Sequence, residues 1–349
     1  MPSDQVTGPV IDPKSVPNRE LKANIRAELA VDLMWPSSLT RVAMPLHDLG
    51  AVMDLRRLSN IAAAAASRNE LSFSIISKEY IETGLNWIHA MQRLGLDNYI
   101  IIAGDQFTSA LLDERGIHNI LAEIDESQFD VSFVSATGFS AKGLAVSAFK
   151  FPVARFLVKA GYSVVLSDAD AVWLHDPMPY LRDTSVAFQR IVYHPPAIAG
   201  IWGFAACGGF ISFRSGTKTI SFLERCIEEQ RLLFCDQVAM NLALLEGDPS
   251  WHCEHADWML PTDTSKYDRG SLEAAFAKCV KSPIKGELRR GGLQVLALPH
   301  DKFWRHGLFA APLQDMVVCH PNSPKDDLEK MKLLDAMGLR FQPGAVDYL

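Results

Sequence analysis

Asp168 and Asp170, separated by Ala169, form the only Asp-x-Asp in the chain. They follow the apolar run Val164–Leu166, which reads as a buried strand. In open α/β sheets, ligands gather beyond the carboxyl ends of strands, so this is a natural place for chemistry. Two carboxylates at this spacing can converge on one hard divalent cation and leave coordination positions for diphosphate oxygens. A solvated acidic turn has the same sequence, so the pair alone does not decide between the two.

Other residues offer rival chemistry. VVLSDADAV also resembles the strand and nucleophilic aspartate of haloacid-dehalogenase-like phosphatases. That family places its motif after the first strand and adds a downstream lysine and a Gly-Asp-x-x-x-Asp acid pair. Here at least three strand candidates precede the motif, and Gly247-Asp248 lacks the second acid. His252, Cys253, Glu254 and His255 group metal-binding residue types, but without helical spacing or a second pair, and a polar loop accounts for them. Trp202, Trp251, Trp258 and Trp304 lie in irregular segments; their faces suit sugar rings, and packing explains each as well.

Composition bounds these choices. The chain has 349 residues, 48% hydrophobic and 21% charged, enough for a sizeable core. A net charge of −7 leaves no footprint for nucleic acid or an anionic membrane. An acidic protein that takes a polyanionic ligand needs a local cation, which a metal would supply. The six cysteines include no Cys-x-x-Cys pair and read as free, buried thiols. No apolar run reaches the length of a membrane span, and the first residues lack the pattern of a signal peptide. These features favour a cytoplasmic enzyme; a Golgi enzyme without its anchor would read the same way.

The elements that must position the pair follow from periodicity. Residues 1–70 read as a polar arm and a helical extension ending in the alanine run 62–66. From Leu71, strand and helix alternate, the mark of a parallel α/β sheet, and residues 71–349 read as one domain. LSFSIIS (71–77) and NYIIIAGD (98–105) are strands around a helix with Ile81, Leu85, Ile88 and Met91 on one face and Gly95 as its stop. Helices are expected near 107–116, 142–160, 217–233 and 325–338. ACGGFISFRS and DMVVCH (315–320) are further strands.

The surroundings of the pair carry a resemblance. LVKAGYSVVLSDADAVWLHDPMPYL (157–181) resembles the signature of glycosyltransferase family 77, with Trp173, Leu174, Asp176, Pro177, Pro179, Tyr180 and Leu181 matching. Segments 74–105, 207–226, 235–244, 298–303 and 317–322 resemble further family segments in the same order. The likeness spans roughly residues 71–340. It implies a GT-A fold, a Rossmann-like mixed α/β sheet with flanking helices. It also implies a UDP-sugar donor, a divalent metal (manganese, or else magnesium) and transfer with retention to a carbohydrate, protein or small-molecule hydroxyl.

The resemblance assigns residues as well. Asp168, Asp170 and His320 become metal ligands. Lys150 contacts donor phosphates or else is a solvated helix lysine, and Lys325 or Lys330 supplies the diphosphate contact that a late glycine makes in the family. Ser74 lies on the first nucleotide-binding strand, and Asp105 holds ribose or uracil or else ends its strand. Asp236 and Gln237 face the donor sugar. Two departures stand out: Cys207 replaces the family's asparagine before Gly-Phe, and Asp326 replaces a late glycine. They motivate one more reading, a sugar-nucleotide binding protein without catalysis.

Overall fold

The structure is a computed structural model. It describes residues 49–123, 141–191, 194–195, 198–199, 202–233, 235–252, 282–305, 312–321 and 326–341. Most of the N-terminal extension, Lys325, Cys253, Glu254, His255 and Trp258 lie outside the described residues.

Strand β1 (Glu70–Ile76) is buried along nearly its whole length. Leu71, Phe73 and Ile75 join one core layer and Ile76 the other, as the two-residue period of a strand requires. β1 pairs in parallel with β2 (Tyr99–Ala103) and with β4 (Ser163–Ser167), and β2 pairs in parallel with β3 (Asn119–Leu121). Beyond β4 the pattern changes. β4 is antiparallel to β7 (Ala205–Phe213), which is antiparallel to β6 (Val186–Ile191). β10 (Leu293–Ala297) is parallel to β6, and β9 (Ile284–Leu288), antiparallel to β10, and β8 (Pro249–His252), antiparallel to β9, complete the sheet. The order is β3-β2-β1-β4-β7-β6-β10-β9-β8. The alternation therefore reads correctly as a parallel sheet only in the first half. The whole is the mixed α/β sheet that the GT-A resemblance implies.

Helices cover both faces. α1 (Leu55–Ala65), α4 (Ala141–Lys159), α5 (Thr217–Leu233) and α6 (Asp236–Glu246) pack on one. α2 (Ile81–Arg93) and α3 (Gln106–Glu114) pack on the other. In α2, Leu85, Ile88 and Met91 are buried, and Gly95 stops the helix at φ 65°, a conformation glycine takes without a Cβ penalty. Leu58 and Ala62 of α1 belong to the main core, which ties the end of the N-terminal extension to the sheet.

A second sheet of three strands carries the site's last component. β12 (Val318–His320) lies between β11 (Phe303–Arg305) and β5 (Val172–Trp173). β5 begins two residues after Asp170, and its antiparallel register sets Val318 against Trp173 and Cys319 against Val172. One step further along, the register brings His320 back to the acidic pair. The final helix α7 (Asp327–Ala336) packs on α2, and Gly338 follows it at φ 69°. Asp326 caps α7 by accepting the Glu329 N–H at 3.0 Å, so the departure from glycine has a local structural cause.

Asp327 then latches α7 to the start of α2. Its carboxylate accepts the backbone N–H of Glu82 at 2.8 Å and of Thr83 at 3.1 Å, together with the Thr83 hydroxyl. A carboxylate at a helix N-terminus meets unpaired donors and the positive end of the helix dipole. Asp327→Ala should cost about 1–2 kcal/mol of stability in urea unfolding. An unchanged midpoint would show that the latch carries no load.

Candidate functional site

The site forms where β4 and β7 run side by side. Ser167 pairs with Phe210, and the Asp168 N–H donates to Gly209 O at 2.6 Å. The Ser167 hydroxyl accepts the indole N–H groups of Trp87 at 3.2 Å and Trp173 at 3.1 Å, which fixes the strand end from below. Gly208 and Gly209 are needed for close approach. A Cβ on Gly209 would lie 2.6 Å from an Asp168 oxygen, and one on Gly208 would lie 2.9 Å from Asp236 Oδ2.

A cleft of about 400 Å³ opens there, and Tyr80, Lys150, Asp168, Asp170, Asp236 and His320 are among its walls. Lys150 rises from α4, whose neighbouring residues Ala148, Phe149, Phe151, Val153 and Ala154 are all buried. A lysine placed in such a helix must be paired. Its ammonium lies 2.6 Å from Asp168 Oδ1 and 2.6 Å from Asp236 Oδ2. Burial opposes the charge, but the two carboxylates outweigh it and raise the pKa above the ordinary lysine value.

Asp170 uses both of its oxygens. Oδ1 is 3.2 Å from His320 Nε2 and Oδ2 is 2.6 Å from Lys330 Nζ. Burial works against its ionisation, yet Lys330 and His320 hold the carboxyl well below the usual carboxylate range. The other imidazole nitrogen, Nδ1, faces Gln189 Oε1 at 3.0 Å, and Gln189 Nε2 donates to Trp304 O at 2.8 Å. That second bond orients the amide with its oxygen toward the histidine. Nδ1 therefore carries a proton, and Nε2 is the nitrogen turned toward Asp170.

Asp168, Asp170 and His320 each offer one ligand atom, and these atoms lie within 4.8 Å of one another. Two carboxylates and an imidazole held by a hydrogen-bonded amide suit a divalent ion of the manganese kind. The donor set fits the metal expected from the sequence.

The remaining sequence assignments fall in different places. Asp236 opens α6; its Oδ1 accepts the Gln237 N–H at 2.8 Å while Oδ2 meets Lys150. Gln237 lines the cleft, but its amide also braces backbone, donating to His194 O at 2.7 Å and accepting Gly208 N–H at 3.2 Å. Asp105 caps α3 by accepting Thr108 N–H at 2.8 Å and also accepts Lys78 N–H at 2.9 Å; the cleft's walls do not include it. Ser74 is fully buried, and strand alternation gives the cleft Ile75 instead. Cys207 is buried on the wall, 3.9 Å from His320 Nδ1. Trp202 and Trp251 pack with Phe204 in an aromatic cluster of the core.

Sequence reasoning missed Gln189 and Tyr80. Gln189 was detectable as a polar residue inside the apolar run VAFQRI, but that run was not read as a strand. Tyr80 carried no local signal.

The Lys150 pairing makes a direct claim. Lys150→Met should destabilise the fold by about 3–5 kcal/mol, because it strands two carboxylates in the cleft. Adding Asp236→Asn should recover part of that loss in the same denaturation experiment. A single mutant as stable as the parent would mean that the carboxylates do not depend on Lys150.

The chain is similar to several known proteins. A stretch of 100 residues is 34% identical to Arabinosyltransferase RRA2 of Arabidopsis thaliana, covering 28% of this chain and 22% of that protein. Arabinosyltransferase RRA1 of the same plant is 29% identical over 100 residues, covering 28% and 23%. Its Beta-arabinofuranosyltransferase RAY1 is 23% identical over 175 residues, covering 49% and 32%. The chain thus spans less than a third of the length of each of these relatives. Among solved structures, the apo bifunctional glycosyltransferase WbbM overlays with a TM-score of 0.34 at 14% identity, covering 64% of this chain and 45% of that one, too loose a match to argue from. Residues 94–334 match the nucleotide-diphospho-sugar transferase family, across the acidic pair, Lys150, Asp236 and His320. The phosphatase reading falls with that match: the chain belongs to the nucleotide-diphospho-sugar transferase family.

Proposed function

We propose that the chain is a metal-dependent glycosyltransferase that moves a sugar from a UDP-sugar to a hydroxyl acceptor with retention of anomeric configuration. The observation that carries this reading is the convergence of Asp168, Asp170 and His320 Nε2 beside the buried Lys150 and the partly buried Lys330. The arabinosyltransferase relatives make a UDP-arabinose the first donor to try. Among the described residues no helix is long and apolar enough to cross a membrane.

A departing nucleoside diphosphate gathers negative charge as the glycosidic bond breaks. A cation held by Asp168, Asp170 and His320 supplies charge stabilisation there without proton transfer. Lys330 lines the cleft, and we assign to it the phosphate contact expected of Lys325 or Lys330. Lys150, expected to contact phosphate, lies between Asp168 and Asp236, and in this reading it holds the two together. With one oxygen on Lys150 and the other on a backbone N–H, Asp236 is a damped nucleophile suited to fixing donor hydroxyls. Gln237 presents an amide, a poor nucleophile whose carbonyl dipole can stabilise developing positive charge. Both features favour front-side transfer, in which the leaving phosphate oxygen helps to deprotonate the acceptor.

Two experiments test this reading. Asp170→Ala should abolish manganese-stimulated UDP binding in isothermal titration; equal UDP affinity with and without chelator in the parent protein would remove the metal from the account. Asp236→Ala and Gln237→Ala should keep UDP affinity and lose most turnover, since contacts to the sugar strengthen in the transition state. A covalent glycosyl adduct on Asp236, seen by mass spectrometry, would replace front-side transfer with double displacement.

A further inference from the structure

The two lysines of the cleft are not equivalent: Lys150 is buried and Lys330 only partly so. Lys150 bridges two carboxylates, so moving it would strand both. Lys330 meets a single carboxylate at ion-pair distance among the described residues, Asp170 at 2.6 Å, and its ammonium lies 5.0 Å from the centre of the Tyr80 ring. Lys330 and Tyr80 both line the cleft. The backbone beneath Lys330 is fixed by the Asp326 cap and the Asp327 latch, while its side chain has four rotatable bonds. Motion belongs to the side chain.

With Lys330 on Oδ2 and His320 on Oδ1, Asp170 has both oxygens engaged. A divalent cation that takes Asp170 as a ligand must displace the ammonium or share an oxygen with it at close range. Sharing sets like charges together in a poorly solvated cleft, where screening is weak. Displacement without a new partner leaves a half-buried ammonium unpaired. A diphosphate that arrives with the cation removes both difficulties, because its oxygens receive the ammonium as the cation takes the carboxylate.

We infer that Lys330 is an exchangeable counter-ion, which occupies Asp170 in the empty cleft and transfers to donor phosphate on loading, so that metal and nucleotide bind cooperatively. The inference rests on the proposed metal and donor assignment and adds a coupling to it. Every charge is paired before and after the exchange, and only intermediate states with one ligand bound are penalised. The coupling is reciprocal: UDP tightens the metal by the same factor as the metal tightens UDP.

Isothermal titration of Mn²⁺ into the whole protein, with and without UDP, measures that factor. The parent should bind Mn²⁺ weakly alone and about 100-fold more tightly with UDP, near the upper range of such couplings. Lys330→Met should bind Mn²⁺ alone about tenfold more tightly, bind UDP more weakly at saturating Mn²⁺, and show a coupling reduced about tenfold. Lys330→Gln, whose amide can still donate to Asp170, should change in the same directions, and circular dichroism melts confirm that both variants fold. Unaltered Mn²⁺ affinity in both folded variants, with the parent still coupled to UDP, overturns the inference and leaves the proposed function standing. Absence of Mn²⁺ binding by the parent even with UDP overturns both.

Discussion

The structure depends on bringing three carboxylates, Asp168, Asp170 and Asp236, into one cleft without self-repulsion. Lys150 settles most of this by sitting 2.6 Å from Asp168 and 2.6 Å from Asp236. Removed from water, an unpaired charge costs several kcal/mol, so a cluster like this exists only with its cations in place. Lys150 can supply one because α4 lies against the sheet beside β4, and α6 begins at the same cleft with Asp236. Three separate stretches of chain are thereby tied at a single nitrogen.

Other features serve that geometry. The Gly208-Gly209 step lets β7 pass close to the acidic pair, with no room for a side chain at either position. Two indole N–H groups converge on Ser167 and hold the end of β4, so the carboxylates project from a rigid support. The small sheet returns His320 to Asp170, and Gln189, anchored on Trp304, sets which imidazole nitrogen points there. These contacts hold the two carboxylates and the imidazole in one place.

Much of this was legible in the sequence because it is local. The apolar run Val164–Leu166, the helix stop at Gly95 and the acids after β4 are read from neighbouring residues, and the structure bears them out. Asp168, Asp170 and His320 were paired only through a family resemblance, since nothing local links positions 150 residues apart. The antiparallel half of the sheet and the strands β5 and β6 escaped for the same physical reason: pairing partners are set by tertiary contact, and short buried strands carry no period of their own. Asp105 shows how local reading can leave a residue open. An acid at a strand end reads equally as a ligand and as a strand-ending turn, and in the structure its carboxylate caps the helix that follows.

The central claim is that Asp168, Asp170 and His320 form one metal centre for a nucleotide-sugar donor. X-ray diffraction at the manganese absorption edge, from crystals grown with Mn²⁺ and UDP, addresses it most directly. The account predicts a single anomalous peak in the cleft, in contact with both carboxylates, with His320 Nε2 and with the UDP diphosphate. A cleft holding UDP with no anomalous peak, or a peak that leaves His320 and either aspartate out of contact, would contradict it.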